Sequence, residues 1–159
     1  MIDVIPSINC PDGDFDCVKA KVAKAAEFAS WVHLDVADGC FTMNKSWSQA
    51  ERWAELNTKL NLEVHLMVEK PEEYLPKWLA AGAKRVIFHL EAIEHLPGDH
   101  SADRAQKLVN LCKEHDVQVG LALNPATPIE RLMPYFNLFS FFQVQIGRAS
   151  CRERVCQYV

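Results

Sequence analysis

The sequence has no long uninterrupted apolar segment, and no run approaches the roughly 20 apolar residues that a membrane-spanning helix needs. The N-terminus lacks the charged region followed by an apolar region that marks a secretory signal peptide. A basic stripe is also missing, and the net charge is −4 over 159 residues. These absences argue against a membrane or nucleic-acid partner. With 49% hydrophobic residues, the chain can bury one sizeable core.

Two further motifs are missing. The six cysteines contain no Cys-x-x-Cys pair, which argues against a zinc knuckle or a redox motif. A cytoplasmic protein with reduced thiols is therefore expected. No Gly-x-Gly-x-x-Gly follows the first apolar segment, which disfavours a doubly wound dinucleotide-binding sheet.

The residues that carry chemistry lie in two apolar segments, residues 31–36 and 62–67. Alternate side chains of a strand share one face, so His33 and Asp35 point to the same side. His65 comes near the end of the second segment. If these side chains converge, they would bind one divalent metal ion, and the ligand set suits Zn, Fe(II), Mn or Co. The alternative is a hydrogen-bonded pair inside the core.

Apolar strand segments alternate with helical spacing along the chain. The predicted strands comprise residues 2–6, 31–36, 62–68, 85–90, 117–123 and 138–144. The spacing predicts helices at residues 14–29, 47–56, 71–79 and 101–115, and a short one from about residue 127. Short connections between such units imply parallel strands with right-handed crossovers. Reactive groups at the ends of successive strands are typical of a (β/α)8 barrel. We therefore predict an α/β fold, an incomplete TIM barrel with about six βα units.

The last segment breaks this pattern. Residues 146–155, IGRASCRERV, have no strand or helix periodicity, and they match the translation of a common short-read sequencing adapter. Segments of this kind are left out of fold reasoning. We therefore expect a partial barrel domain over residues 1–145 and a non-native tail over residues 146–159.

Five ordered motifs resemble those of ribulose-phosphate 3-epimerase, of the ribulose-phosphate-binding barrel group. They are residues 5–7 (IPS), 33–39 (HLDVADG), 64–68 (VHLMV), 88–92 (FHLEA) and 120–128 (GLALNPATP). The resemblance covers residues 5 to about 127. It implies a TIM barrel that interconverts ribulose 5-phosphate and xylulose 5-phosphate through an enediolate.

The resemblance also implies a role for each matching residue. His33, Asp35 and His65 would bind the metal ion, and Asp35 would also act as a general base. Ser7 would contact the hydroxyl groups of the sugar phosphate, and His65 would lie beside the substrate. Met67 would form an apolar wall over the substrate, and His89 would line the pocket.

The sequence departs from the family pattern at three places. Ala37 stands where the family usually has a methionine, and residues 40–44 (CFTMN) replace the usual HFVPN. After Val144, the family's PGFGGQ loop and its last two strands are missing, together with the second catalytic aspartate. We therefore expect a C-terminally truncated chain that is inactive as written, whereas the full-length protein would be an epimerase and possible homo-oligomer. The alternatives are a ketohexose-phosphate (allulose 6-phosphate) epimerase and a non-catalytic phosphosugar-binding or degenerate fragment.

Overall fold

A computed structural model describes residues 4–94, 101–145 and 156–158. Within them, one sheet has seven strands in the order of the sequence. The strands are β1 (Ser7–Ile8), β2 (Trp31–Ala37), β3 (Asn61–Met67), β4 (Arg85–His89), β5 (Gln118–Leu123), β6 (Phe141–Gln145) and β7 (Cys156–Tyr158). Strands β1 to β6 are parallel, and β7 is antiparallel to β6.

Helices connect the parallel strands. They are α1 (Phe15–Ala25), α2 (Pro71–Ala80), α3 (Leu90–Glu94) and α4 (Ser101–Glu114), with 3-10 helices at Ala50–Leu56 and Ile129–Tyr135. The start of α1 is fixed by Asp14, whose carboxylate accepts a hydrogen bond from the Cys17 N–H at 2.9 Å. Pro71 occupies the first turn of α2, where its missing N–H costs nothing. Six sequential parallel strands that alternate with helices confirm the predicted α/β pattern of an incomplete TIM barrel.

The two faces of the sheet have different compositions. Side chains such as Leu34, Leu66 and Phe88 pack with the helices, including Trp78 of α2, in one buried apolar cluster. The residues between them in sequence point to the other face, because side chains alternate along a strand. That opposite face, called the inner face below, carries His33, Asp35, Glu63, His65 and His89, all of which are buried.

The register of β2 and β3 sets the geometry of the inner face. His33 lies opposite Glu63, Asp35 opposite His65, and Ala37 opposite Met67. Because odd-numbered residues of β2 pair with odd-numbered residues of β3, their side chains lie side by side on the same face of the sheet. Residues separated by about 30 positions in sequence therefore meet at the same height in the barrel.

Several element boundaries differ from the sequence-based prediction. Within the described residues, the first strand consists of Ser7–Ile8 rather than residues 2–6, because Pro6 has no N–H to donate to a ladder. The helices expected near residues 47–56 and 127 are 3-10 helices, and the second contains Pro134, which cannot donate in an α-helix. Helix α3 follows β4 directly and was not predicted.

The cysteines give a second correction. Cys10, just after β1, and Cys17, in the first turn of α1, form a disulfide bond with a Cα–Cα distance of 6.0 Å. The expectation of reduced thiols is wrong for this pair, because the short β1–α1 connection brings the two residues together without a Cys-x-x-Cys motif. Among the described cysteines, Cys40 is free and exposed, and Cys112 is free and buried.

The predicted tail falls largely outside the described residues. Residues 146–155 and Val159 are not described, whereas residues 156–158 form β7. The boundary between Gln145 and Ile146 stays a prediction. Among the helices that the structure does describe, none combines the length and apolar character needed to cross a membrane.

Candidate functional site

Neighbouring strands bring the polar residues of the inner face together. Ser7 of β1, Asp35 of β2, His65 of β3 and His89 of β4 lie near the carboxyl ends of their strands. In a parallel barrel, these ends meet on one side, where the loops surround a pocket. Hydrogen bonds join these four residues in a continuous chain.

His33, Asp35 and His65 form a compact cluster of donor atoms. The Nε2 of His33 lies 3.3 Å from Oδ1 of Asp35, and the Nδ1 of His65 lies 3.1 Å from the same oxygen. One donor atom from each residue falls within 4.8 Å of the others, and all three residues are buried. Two imidazole nitrogens and a carboxylate oxygen suit a divalent first-row transition metal. The donor set and its spacing therefore fit a single metal ion.

Neighbouring groups stabilise the charged forms of Asp35 and His33. Burial by itself would raise the pKa of Asp35, but hydrogen bonds from His33 and His65 hold that pKa well below its usual range. Burial would likewise lower the pKa of His33, yet hydrogen bonds to Asp35 and Glu63 and their negative charges raise it to about 9. Asp35 is therefore a carboxylate that can accept a proton or coordinate a cation.

His65 is neutral at physiological pH. Burial is the main reason that its pKa falls to about 3, and the nearby charges of His89 and His33 lower it further against the opposing hydrogen bond to Asp35. A neutral ring that donates from Nδ1 to Asp35 has a bare Nε2, which lies 2.9 Å from Nε2 of His89. His89 Nε2–H is therefore the donor in that contact.

Glu91 completes this chain and was not predicted as a site residue. Its Oε2 lies 3.2 Å from Nδ1 of His89, and its Oε1 accepts hydrogen bonds from the Asn124 N–H at 2.9 Å and from the Thr127 hydroxyl. Burial would raise the pKa of Glu91, but hydrogen bonds from His89, Thr127 and Asn124 lower it to about 2. Glu91 thus connects the end of β4 to the loop after β5.

Glu63, on the inner face, is the second carboxylate that sequence analysis missed. Its Oε1 lies 2.6 Å from Nδ1 of His33, and its Oε2 accepts a hydrogen bond from Nη1 of Arg85 at 3.1 Å. The side chain is fully buried. The available signal was its position two residues before His65, which places both side chains on the same face of β3.

The side chains of Asp38 and Ser46 hold the loop after β2 in place through hydrogen bonds. Oδ1 of Asp38 accepts hydrogen bonds from the N–H groups of Cys40 and Phe41, and its Oδ2 accepts one from the Glu69 N–H after β3, all at 2.8 Å. The Asp38 side chain therefore holds the backbone that follows β2 against the backbone that follows β3. The Ser46 hydroxyl donates to the Asp35 carbonyl at 2.7 Å and accepts from the Ala37 N–H at 2.8 Å. These contacts fix the strand end that carries Asp35.

The structure brings the predicted site residues to one region of the inner face. The Ser7 hydroxyl donates to Oδ2 of Asp35 at 3.1 Å. Met67 follows His65 on the same face of β3 and is 3% exposed. The Phe41 ring, from the loop that departs from the family pattern, lies 4.9 Å from the His89 ring. The chemical roles of these residues stay predictions.

Comparisons with known proteins point to one family. The model of the "Ribulose-phosphate 3 epimerase family" matches residues 3–144. A ribulose-phosphate 3-epimerase of Treponema pallidum (strain Nichols) is 34% identical over 139 residues, which cover 84% of this chain and 60% of the relative. One from Bacillus subtilis (strain 168) is 34% identical over 142 residues, covering 86% and 59%. The chain thus spans about 60% of the length of these relatives.

Proposed function

Because the chain belongs to the ribulose-phosphate 3-epimerase family, we propose that it provides the metal-binding part of an active site that inverts C3 of a ketopentose phosphate. The reaction would interconvert D-ribulose 5-phosphate and D-xylulose 5-phosphate. The observation that carries the proposal is the buried cluster of His33, Asp35 and His65, whose donor atoms lie within 4.8 Å of one another.

Asp35 is the proposed general base. Removal of a proton from the carbon next to a ketone leaves an enediolate, and return of a proton on the opposite side inverts the carbon. Asp35 is ionised, and Ser7 and His65 hold its two oxygens in place. Inversion needs two acid/base groups, one for each side of the carbon, and Asp35 would be one of them.

His33, Asp35 and His65 would hold the divalent ion, which could be Zn, Fe(II), Mn or Co. When bound, the ion would supply positive charge to the oxygens of the enediolate. His65 and His89 would line the pocket, and Met67 would cover the substrate with an apolar surface. Ser7 would accept a hydrogen bond from a substrate hydroxyl, since its own hydroxyl donates to Asp35 and its side chain is exposed.

The small side chain of Ala37 favours a second candidate substrate. Ala37 lies opposite Met67 in the register of β2 and β3, and its side chain is smaller than the methionine usual in the family, which would leave more space for a longer substrate. A ketohexose phosphate such as allulose 6-phosphate is therefore the alternative substrate. A non-catalytic phosphosugar-binding chain is the remaining alternative.

Deuterium exchange at C3 tests the base without requiring inversion. The purified chain would be loaded with Zn, Fe(II), Mn or Co and incubated with ribulose 5-phosphate or allulose 6-phosphate in D2O. Proton NMR would then follow the C3–H signal and the appearance of the epimer. We expect metal-dependent exchange with little epimer, because a single base can exchange a proton but cannot return one to the opposite side.

Two variants complete the experiment. Asp35→Asn should abolish exchange, whereas Asp103→Asn, which changes an exposed carboxylate on α4, should leave it unchanged. Exchange that persists in Asp35→Asn would contradict the assignment of the base. Substrate binding without exchange would favour the non-catalytic alternative, and faster exchange with the hexulose would favour the second candidate.

A cytoplasmic location and a homo-oligomer of the full-length protein stay predictions. The partial barrel domain over residues 1–145 also stays a prediction at its C-terminal boundary.

A further inference from the structure

We propose that Glu63 is a positioning residue for His33, and that it determines which ring nitrogen of His33 faces the metal ligands. The inference rests on the proposed metal site. Glu63 lies directly opposite His33 in the register of β3 and β2. Its Oε1 is 2.6 Å from Nδ1, whereas Nε2 on the other side of the ring is 3.3 Å from Asp35.

The hydrogen bond to Glu63 identifies which nitrogen of the His33 ring carries the hydrogen. A carboxylate accepts hydrogen bonds and has no hydrogen to donate, so the atom facing Glu63 must be Nδ1–H. With Nδ1 taken up by Glu63, Nε2 is the nitrogen that faces Asp35 and His65, and it would give up its hydrogen to coordinate a metal ion. A carboxylate that fixes the tautomer and the orientation of a ligating histidine in this way also strengthens the ring as a ligand.

Arg85 holds Glu63 in place. The guanidinium donates from Nη1 to Oε2 of Glu63 at 3.1 Å and from Nε to Gln118 at 2.8 Å. It also lies over the Trp31 ring, 4.3 Å from the ring centroid. A fully buried carboxylate needs such a paired cation, because an unpaired buried charge is strongly unfavourable. Glu63 is therefore held from one side by Arg85 while it holds His33 from the other.

The alternative is that Glu63 only balances the charge of Arg85. Two replacements distinguish these roles. Glu63→Gln keeps the shape but has an amide that can present either oxygen or nitrogen to the ring, so it no longer selects the tautomer. Glu63→Asp keeps the charge but is shorter by one methylene, so the contact with His33 is weakened rather than removed. Glu94→Gln is the matched control, because Glu94 also pairs with an arginine, Arg131, in the described chain.

Metal affinity is the main measurement. Visible absorption would follow Co(II) titration of the parent and the variants, with Zn competition as a second readout. We expect Glu63→Gln to weaken binding by about 10- to 100-fold, Glu63→Asp to weaken it less, and Glu94→Gln to leave it unchanged. Equal affinities for the parent, Glu63→Gln and Glu94→Gln would overturn the proposal.

A second readout is independent of metal. ¹⁵N-coupled proton NMR of the metal-free parent should show a far-downfield Nδ1–H signal of His33, because the donor–acceptor distance is short and the acceptor is charged. The signal should disappear in Glu63→Gln and persist in Glu94→Gln. Absence of the signal in the parent would overturn the proposal. If the parent shows the signal but binds no metal, the proposed metal site fails while the contact between Glu63 and His33 stands.

Discussion

Glu91 makes the stability of the chain depend on pH in a way that one substitution can isolate. Its carboxylate accepts hydrogen bonds from Asn124 and Thr127 and contacts His89. The Glu91 pKa is about 2 in the folded chain, against an ordinary value of 4.5. As the pH falls, the unfolded state therefore binds the proton first. The stabilisation is complete above about pH 4.5 and is lost as the pH falls toward 2.

The size of the effect follows from the pKa difference. At about 1.4 kcal/mol for each pKa unit, the lowering from 4.5 to about 2 gives an upper value of about 3–4 kcal/mol. The Glu91 side chain is 21% exposed, so solvent screening reduces the contribution to about 2 kcal/mol. Replacing Glu91 by Gln should remove this contribution, because the amide does not titrate.

Urea denaturation at several pH values between 7 and 2 would measure the effect. The free energy of unfolding of Glu91→Gln should lie about 2 kcal/mol below that of the parent at pH 7, and this gap should close toward pH 2. The control is Glu73→Gln, which changes a carboxylate that is 61% exposed on α2 and should leave the free energy of unfolding nearly unchanged. A constant gap for Glu91→Gln would refute the reasoning.

Three further predictions concern packing, capping and thiol reactivity. Gly120→Ala should lower the free energy of unfolding by about 1–3 kcal/mol in urea denaturation, because the new Cβ would overlap the Phe141 ring. An unchanged free energy of unfolding would show that the ring moves aside freely. Asp14→Ala should lower it by about 1 kcal/mol through loss of the helix cap, whereas Asp14→Asn should retain most of the stability. Burial raises the pKa of the Cys112 thiol to about 12, so iodoacetamide at pH 8 should modify the exposed Cys40 first. Peptide mass spectrometry would measure the two modification rates, and equal rates would contradict the burial of Cys112.

Much of the fold could be predicted from periodicity alone. Strands β2, β3 and β5 are long apolar segments bounded by turn signals, and each lies within one or two residues of its predicted range. The prediction was poorest where proline removes a hydrogen-bond donor, as at Pro6 and within the Ile129–Tyr135 helix. Helix α3 was missed because it follows β4 without any intervening turn residue.

The site was predictable only where spacing along one strand or a family motif marked it. His33 and Asp35 lie two residues apart on one strand, and the period of two places them on one face. Glu63 and Glu91 depend on partners about 30 residues away, His33 for Glu63 and the loop that includes Asn124 for Glu91. Such pairings are set by register, which a single sequence does not reveal. The Cys10–Cys17 bond is local, but a spacing of seven residues without a Cys-x-x-Cys motif is no signal for it.

The alternation of side chains along each strand separates two kinds of evolutionary change. On β2 and β3, the even-numbered residues belong to the packed cluster, whereas the odd-numbered residues form the inner face. A substitution at an inner position such as Ala37 changes the inner face but not the contacts between sheet and helices. A lineage with this fold can therefore change its inner face while Leu34 and Leu66 remain constrained by packing against the helices.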